Sequence, residues 1–145
     1  MTKFAQGRFL PKNIAKYVGN KTPKYRSGWE LAFMNFVDNN PAIINWASEA
    51  IFIPYRNPFT GKNTIYIPDF FLSYIDKNGK KHAEIIEVKP KRETTLEHAG
   101  RSKKAQAAAI LNMAKWRAAH AFCKAHQMIF RVITEDQLFH QGKKR

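Results

Sequence analysis

Thr64-Ile-Tyr-Ile-Pro-Asp-Phe-Phe-Leu72 and Ala83-Glu-Ile-Ile-Glu-Val-Lys89, joined across the turn Asp76-Lys-Asn-Gly-Lys80, decide how this chain folds. Both runs are apolar enough to be buried strands. Each nonetheless carries charge: Asp69 on the first, Glu87 and Lys89 on the second. Ionised groups in such a setting are costly unless they are paired or hold a metal. A two-residue Asn-Gly hairpin sets Asp69 opposite Val88. A three-residue loop, Lys77-Asn78-Gly79 with Gly79 left-handed, sets Asp69 opposite Glu87 instead. One residue of slip moves every side chain to the other face, so only the longer loop, or a bulge near Pro68, gathers Asp69, Glu87 and Lys89. That register is the one expected here.

An Asp and a Glu side by side on adjacent strands repel each other unless a divalent cation lies between them. Mg²⁺ prefers hard oxygen ligands, takes one or two carboxylates and keeps several waters. Asp69 and Glu87 are therefore candidate ligands, with the backbone carbonyl of Val88 as a third and Mn²⁺ able to substitute. Such an ion polarises a phosphodiester and neutralises charge that builds on it. Lys89, on the face of Glu87, is placed to orient an attacking water or stabilise that charge; its alternative is a plain ion pair.

The charge balance points the same way. With 25 Lys and Arg against 11 Asp and Glu, the net charge is +14, and for a folded domain the polyanion that fits is nucleic acid. Solubility, a ribosomal role or a membrane-surface role would also use such charge. The single cysteine, Cys123, excludes an internal disulfide and suits a reducing compartment. No apolar run is long enough to span a membrane, and no signal peptide is visible. The five histidines show no zinc-ligand spacing, and there is no Gly-rich phosphate loop or nucleophile elbow, so no small-molecule cofactor is expected.

The length suits one domain, 1–145. Residues 1–26 hold seven cations (Lys3, Arg8, Lys12, Lys16, Lys21, Lys24, Arg26) and no acid, and read as an irregular arm lying on phosphates. The core is expected over 27–139, with a basic tail at 140–145. Ser27-Gly-Trp-Glu30 fits a capping box opening a helix whose inward stripe is Trp29, Ala32, Phe33 and Phe36. Glu30 thus has a structural explanation as a cap, beside a possible place in the site. Ile43-Ile-Asn-Trp46 reads as a link and Ala50–Tyr55 as the first strand. Lys91, Arg92, Lys103 and Lys104 make the connection after the hairpin basic, and with Lys12, Lys24 and Arg26 they are the candidate DNA contacts. A long helix is expected from Ser102 to His126, with the stripe Ala108, Leu111, Ala114, Ala118 and Phe122. Met128–Ile133 is a last strand, parallel to its neighbour, and Thr134-Glu-Asp-Gln137 opens a short helix. The order gives an α/β fold with a mixed sheet against helices.

Pro68-Asp69, then Glu87-Val88-Lys89, with an acid on the preceding helix, resembles the PD-(D/E)xK nuclease superfamily. The resemblance implies a restriction-endonuclease-like core of helix, three strands, helix and strand, which agrees with the order already read. Tyr25-Arg-Ser-Gly-Trp-Glu30 and Ile129–Asp136 resemble the TnsA-type transposon endonucleases. Gly7-Arg-Phe, Pro11-Lys-Asn13, Trp46-Ala-Ser-Glu49, Ile53-Pro-Tyr-Arg56 and Ile67-Pro-Asp-Phe-Phe71 resemble the head-completion nucleases of T-even-type myophages, over residues 7–136. That likeness implies Mg²⁺ on Asp69 and Glu87, a catalytic Lys89, and Glu30 completing the site. It also implies trimming of packaged DNA, head and neck proteins at the portal vertex as partners, and a place in the virion neck and in the host cytoplasm during assembly. Glu49 and Glu84 are left outside the site. The competing readings are a catalytically silent DNA-binding neck protein and a transposon or restriction-type endonuclease.

Overall fold

The computed structural model describes residues 6–138, so Lys3 and the basic tail at 140–145 lie outside the described residues. The hairpin forms in the expected register. Strands β6 (Phe70–Ile75) and β7 (Lys81–Val88) pair antiparallel, Phe70 with Ile86 and Ile75 with Lys81. Extending that pairing by one step brings Asp69 opposite Glu87. The loop closes through Gly79 N–H donating to Asp76 O at 2.9 Å, and Gly79 has φ +82°, the left-handed value that favours glycine. Asp76 Oδ1 braces the turn by accepting from the N–H groups of Asn78 and Lys80.

The four-stranded sheet runs β3-β6-β7-β8, with β3 (Ile43–Ser48) antiparallel to β6 and β8 (Ile129–Ile133) parallel to β7. The parallel pair is joined by the long helix α3 (Lys103–Ala125), as a crossover requires. Helix α1 (Gly28–Asn39) covers one face, packing Phe33, Met34 and Val37 against Phe70, Leu72, Ile86 and Val88. Helix α3 covers the other, with Trp116, Ala119 and Cys123 against Ile85 and Phe130. Cys123 is a packed thiol; burial pushes its pKa up to about 11.

Several expectations are corrected. The apolar link at Ile43–Trp46 is the sheet strand β3. A register irregularity between Ile43 and Asn45 breaks the alternation by which a strand is recognised. The expected first strand is displaced to β4 (Ile53–Arg56), which among the described residues pairs only with β5 (Asn63–Tyr66), in a separate hairpin. The run Thr64–Leu72 is therefore two strands, broken at Ile67-Pro68-Asp69. The buried stripe of α3 is Ala105, Ala109, Asn112, Trp116, Ala119 and Cys123, displaced by one or two residues from the expected one. On α1, Phe36 is exposed, and Met34 and Val37 take the inward places.

Residues 6–26 are tied down rather than irregular. Strands β1 (Gly7–Arg8) and β2 (Lys24–Tyr25) pair, and a short 3₁₀ turn spans Ile14–Lys16. Phe9 enters the core against Trp46. The buried Asp38 accepts from Lys12 N at 2.9 Å, and the Lys16 ammonium donates to the carbonyls of Val37, Asp38 and Asn40, closing the C-terminus of α1. Two short elements, α2 (Leu96–Ala99) and a 3₁₀ turn at Lys91–Glu93, lead into α3. A helical turn follows β8 at residues 135–138, opened by Thr134 and Gln137 as expected.

Candidate active site

The site forms where β6 begins and β7 ends, on the face covered by α3. Asp69 and Glu87 are locked to each other through the backbone. Glu87 Oε1 accepts from Asp69 N at 3.2 Å, and Asp69 Oδ2 accepts from Val88 N at 2.8 Å. Glu87 Oε1 also accepts the Tyr66 hydroxyl at 2.7 Å. From the described residues, Asp69 Oδ1 receives no hydrogen bond, and Glu87 Oε2 meets only the Lys89 ammonium, 3.6 Å away. Each carboxylate is thus fixed by one oxygen and offers the other.

Electrostatics leave this pair in want of positive charge. Burial, and then the charges of Glu87 and Glu30, hold Asp69 well above the ordinary carboxylate range. Burial also raises Glu87, against the opposing pull of Lys89, the Tyr66 hydroxyl, the Asp69 N–H and Lys115. Glu30, in the first turn of α1, is raised mainly by burial. Ser27 Oγ accepts from Glu30 N at 3.2 Å, and Glu30 Oε1 accepts from Arg26 N at 2.8 Å, so the cap forms, one residue upstream of the usual box.

This donor set fits a hard divalent cation. Among the described residues, no three His, Cys, Asp or Glu side chains gather into a complete metal cage. Asp69 Oδ1 and Glu87 Oε2 would be the side-chain oxygens open to such an ion, a small share that suits one keeping several waters. Val88 enters the geometry through its N–H, which fixes Asp69.

Three neighbours escaped the sequence. Tyr66, at the end of β5, orients Glu87; burial first, then Glu87 itself, raises its hydroxyl pKa. Lys115 reaches in from α3, its ammonium 5.6 Å from the Tyr66 ring centroid, and burial and Lys89 together lower its pKa. Glu49, left outside the site, adjoins it through the backbone: its N–H donates to Asp69 O at 2.9 Å, and its charge helps raise Glu30. Glu84 does point away, to the α1 face, held by the Tyr74 hydroxyl at 2.6 Å and Arg131 Nε at 2.8 Å.

Residues 40–135 match the family of TnsA-like endonuclease N-terminal domains. The chain belongs to the TnsA-like endonuclease family. It is also 37% identical over 142 residues to the head completion nuclease of Enterobacteria phage T4, covering 91% of this chain and 92% of that one. This TnsA-like enzyme is a deoxyribonuclease, a hydrolase of phosphodiester bonds whose substrate is DNA, and nucleases of its type use divalent metal ions. The family match contains Asp69, Glu87, Lys89 and Lys115 and begins past Glu30. No helix among the described residues of this nuclease is long and apolar enough to cross a membrane.

The basic candidates fall in two groups. Lys24 and Arg26 lie on and beside β2, and Lys12 is exposed in the segment before it. Lys91 and Arg92 directly follow Lys89; Lys91 is tied to Asp136 at 3.0 Å. Lys103 and Lys104 stand exposed in the first turn of α3, which has no acid, although the helix dipole disfavours cations there.

Proposed function

We propose that this nuclease depends on Mg²⁺, with Mn²⁺ able to replace it, and acts in phage head completion and head–tail joining by cutting or trimming packaged DNA. The observation that carries the metal reading is the Asp69–Glu87 pair, Glu87 buried and Asp69 half-buried beside it, with one oxygen of each left open and Lys89 next to them. The biological role rests on the likeness to the T4 protein. In this reading the chain is one domain. It works in the host cytoplasm during assembly, meets portal-vertex proteins of the head and neck, and stays in the virion neck.

Asp69 and Glu87 are the metal ligands, with Glu30 and the Val88 carbonyl completing the protein's share. Held by these residues, a divalent cation would supply the charge that polarises the scissile phosphodiester and screens the negative charge building on it. Lys89, held near Glu87 Oε2, orients the attacking water and supports that charge. Tyr66 and the Asp69 N–H keep Glu87 Oε1 occupied, so that Oε2 faces the reaction. Lys115 adds positive charge from the α3 side. Lys12, Lys24, Arg26, Lys91, Arg92, Lys103 and Lys104 hold the DNA backbone, and binding weakens steeply with salt.

The test is supercoiled plasmid incubated with Mg²⁺ or with EDTA, for the natural protein and for Lys89→Ala. Cleavage confined to the natural protein with Mg²⁺ supports the reading. Cleavage that survives both EDTA and Lys89→Ala contradicts the site. Tight binding without cleavage supports a structural DNA-binding role instead.

A further inference from the structure

Beside Glu49 lies a pocket of about 390 Å³, separate from the carboxylate pair but joined to it through the Glu49–Asp69 backbone bond. Arg8, Lys21, Lys24 and Arg26 line it, and Glu49 is its one acid. Arg8 and Lys24 sit directly opposite each other in the β1–β2 pair. Like charges so placed destabilise a strand pair, and a bound anion removes the penalty.

The pocket is built rather than incidental. The Tyr17 hydroxyl donates to Lys21 O at 2.6 Å and accepts from Ser48 N at 3.4 Å, which ties the Lys21 loop to the end of β3. Phe9 N donates to Pro23 O at 2.8 Å on the other wall. Gly19 lets the loop pass close to the Tyr17 hydroxyl, which a Cβ there would crowd.

Glu49 itself is unusual. It is not glycine, yet its φ is +51°, a conformation that survives only where its surroundings enforce it. Its N–H bond to Asp69 O is one such constraint, and its carboxylate is paired with both terminal nitrogens of the Arg26 guanidinium. A carboxylate and a phosphate present the same two-oxygen edge to that fork.

We propose that this pocket is a subsite for a phosphate of the DNA strand, and that Glu49 occupies the Arg26 guanidinium until that phosphate replaces it. The proposal rests on the nuclease reading and adds where the strand is gripped beside the scissile bond. The phosphate is either an internal phosphodiester or a 5′-terminal monoester; both present the same oxygens.

Binding is measured by fluorescence anisotropy in EDTA, which separates it from cleavage, on three short duplexes: 5′-phosphorylated, 5′-hydroxyl, and closed at both ends by hairpins. The variants are Lys21→Ala/Lys24→Ala, Glu49→Gln, and Lys77→Ala/Lys80→Ala as a charge-matched control at the other end of the sheet. The pocket double variant is expected to lose about tenfold more affinity than the control and to flatten the salt slope by about one to two. Loss on all three duplexes identifies an internal phosphodiester; loss confined to the phosphorylated end identifies the monoester. Glu49→Gln, with the competing carboxylate neutralised, is expected to tighten binding. Equal losses in the pocket and control variants overturn the subsite, and Glu49→Gln binding no better than the natural protein overturns the exchange. Failure of the natural protein to cleave plasmid with Mg²⁺ counts against the nuclease reading instead, whatever the pocket variants do.

Discussion

Glu84 and Glu87 stand three residues apart on β7 and are almost equally buried, at 4% and 5% exposure, but they face opposite sides of the sheet. Glu84 is given its counter-charge by the fold, with Arg131 on one oxygen and the Tyr74 hydroxyl on the other. Burying a carboxylate this way is tolerable because its charge is paired with Arg131 and Oε2 accepts the Tyr74 hydroxyl, although Oε1 meets Arg131 as an ion pair without a hydrogen bond. Glu87 is given a second carboxylate and a lysine at longer range. The same residue type at the same depth is thus completed by the protein in one place and left open in the other. Only the open one calls for something from outside.

The contrast can be broken by substitution. Asp69→Asn, Glu87→Gln and Lys89→Ala are each expected to lower the cleavage rate by about 10³-fold, the scale of removing one charge stabiliser from a transition state. Glu84→Gln should leave that rate within about threefold. Single-turnover cleavage decides between them, and comparable loss in Glu84→Gln would erase the distinction. In urea denaturation the ranking should reverse, because Glu84→Gln strips Arg131 of its partner at a cost of about 1–3 kcal/mol.

Asp69→Asn sharpens the comparison through pH. Both site carboxylates bind protons more tightly folded than unfolded, so the metal-free folded state carries more protons through the raised carboxylate range. Its stability therefore falls as pH rises through that range and is kept below it. In EDTA at about pH 8, Asp69→Asn should be more stable than the natural protein and show a shallower pH dependence. A loss of stability there would mean that the pair is not electrostatically unfavourable.

Smaller effects are expected around the pair. Tyr66→Phe releases Glu87 Oε1 and should weaken divalent-cation binding by about tenfold, as losing an outer support of a ligand does. Lys115→Met should lower kcat by about tenfold or less while melting near the natural temperature. A pure KM effect would place Lys115 in DNA binding alone.

How much of this was legible in the sequence follows from the range over which each interaction acts. The Asp69–Glu87 register was readable because a short turn with one left-handed glycine, Gly79, sets it locally. Ser27 and Ser102 announced their helices for the same reason, since each accepts from an N–H three residues on. Strand β3 was hidden by the irregularity at Asn45, and β4 was overread because its alternation serves a side hairpin. Lys115 and Glu49 reach the site only through the packing of α3 and the backbone twist at the end of β3, and no local pattern reports either.

The most direct test of the central claim is calorimetric titration of Mn²⁺ into the natural protein, Asp69→Asn and Glu84→Gln without DNA. One saturable site is expected in the natural protein and in Glu84→Gln, and its loss in Asp69→Asn. Equal binding by Asp69→Asn, or loss of binding in Glu84→Gln alone, would contradict that claim.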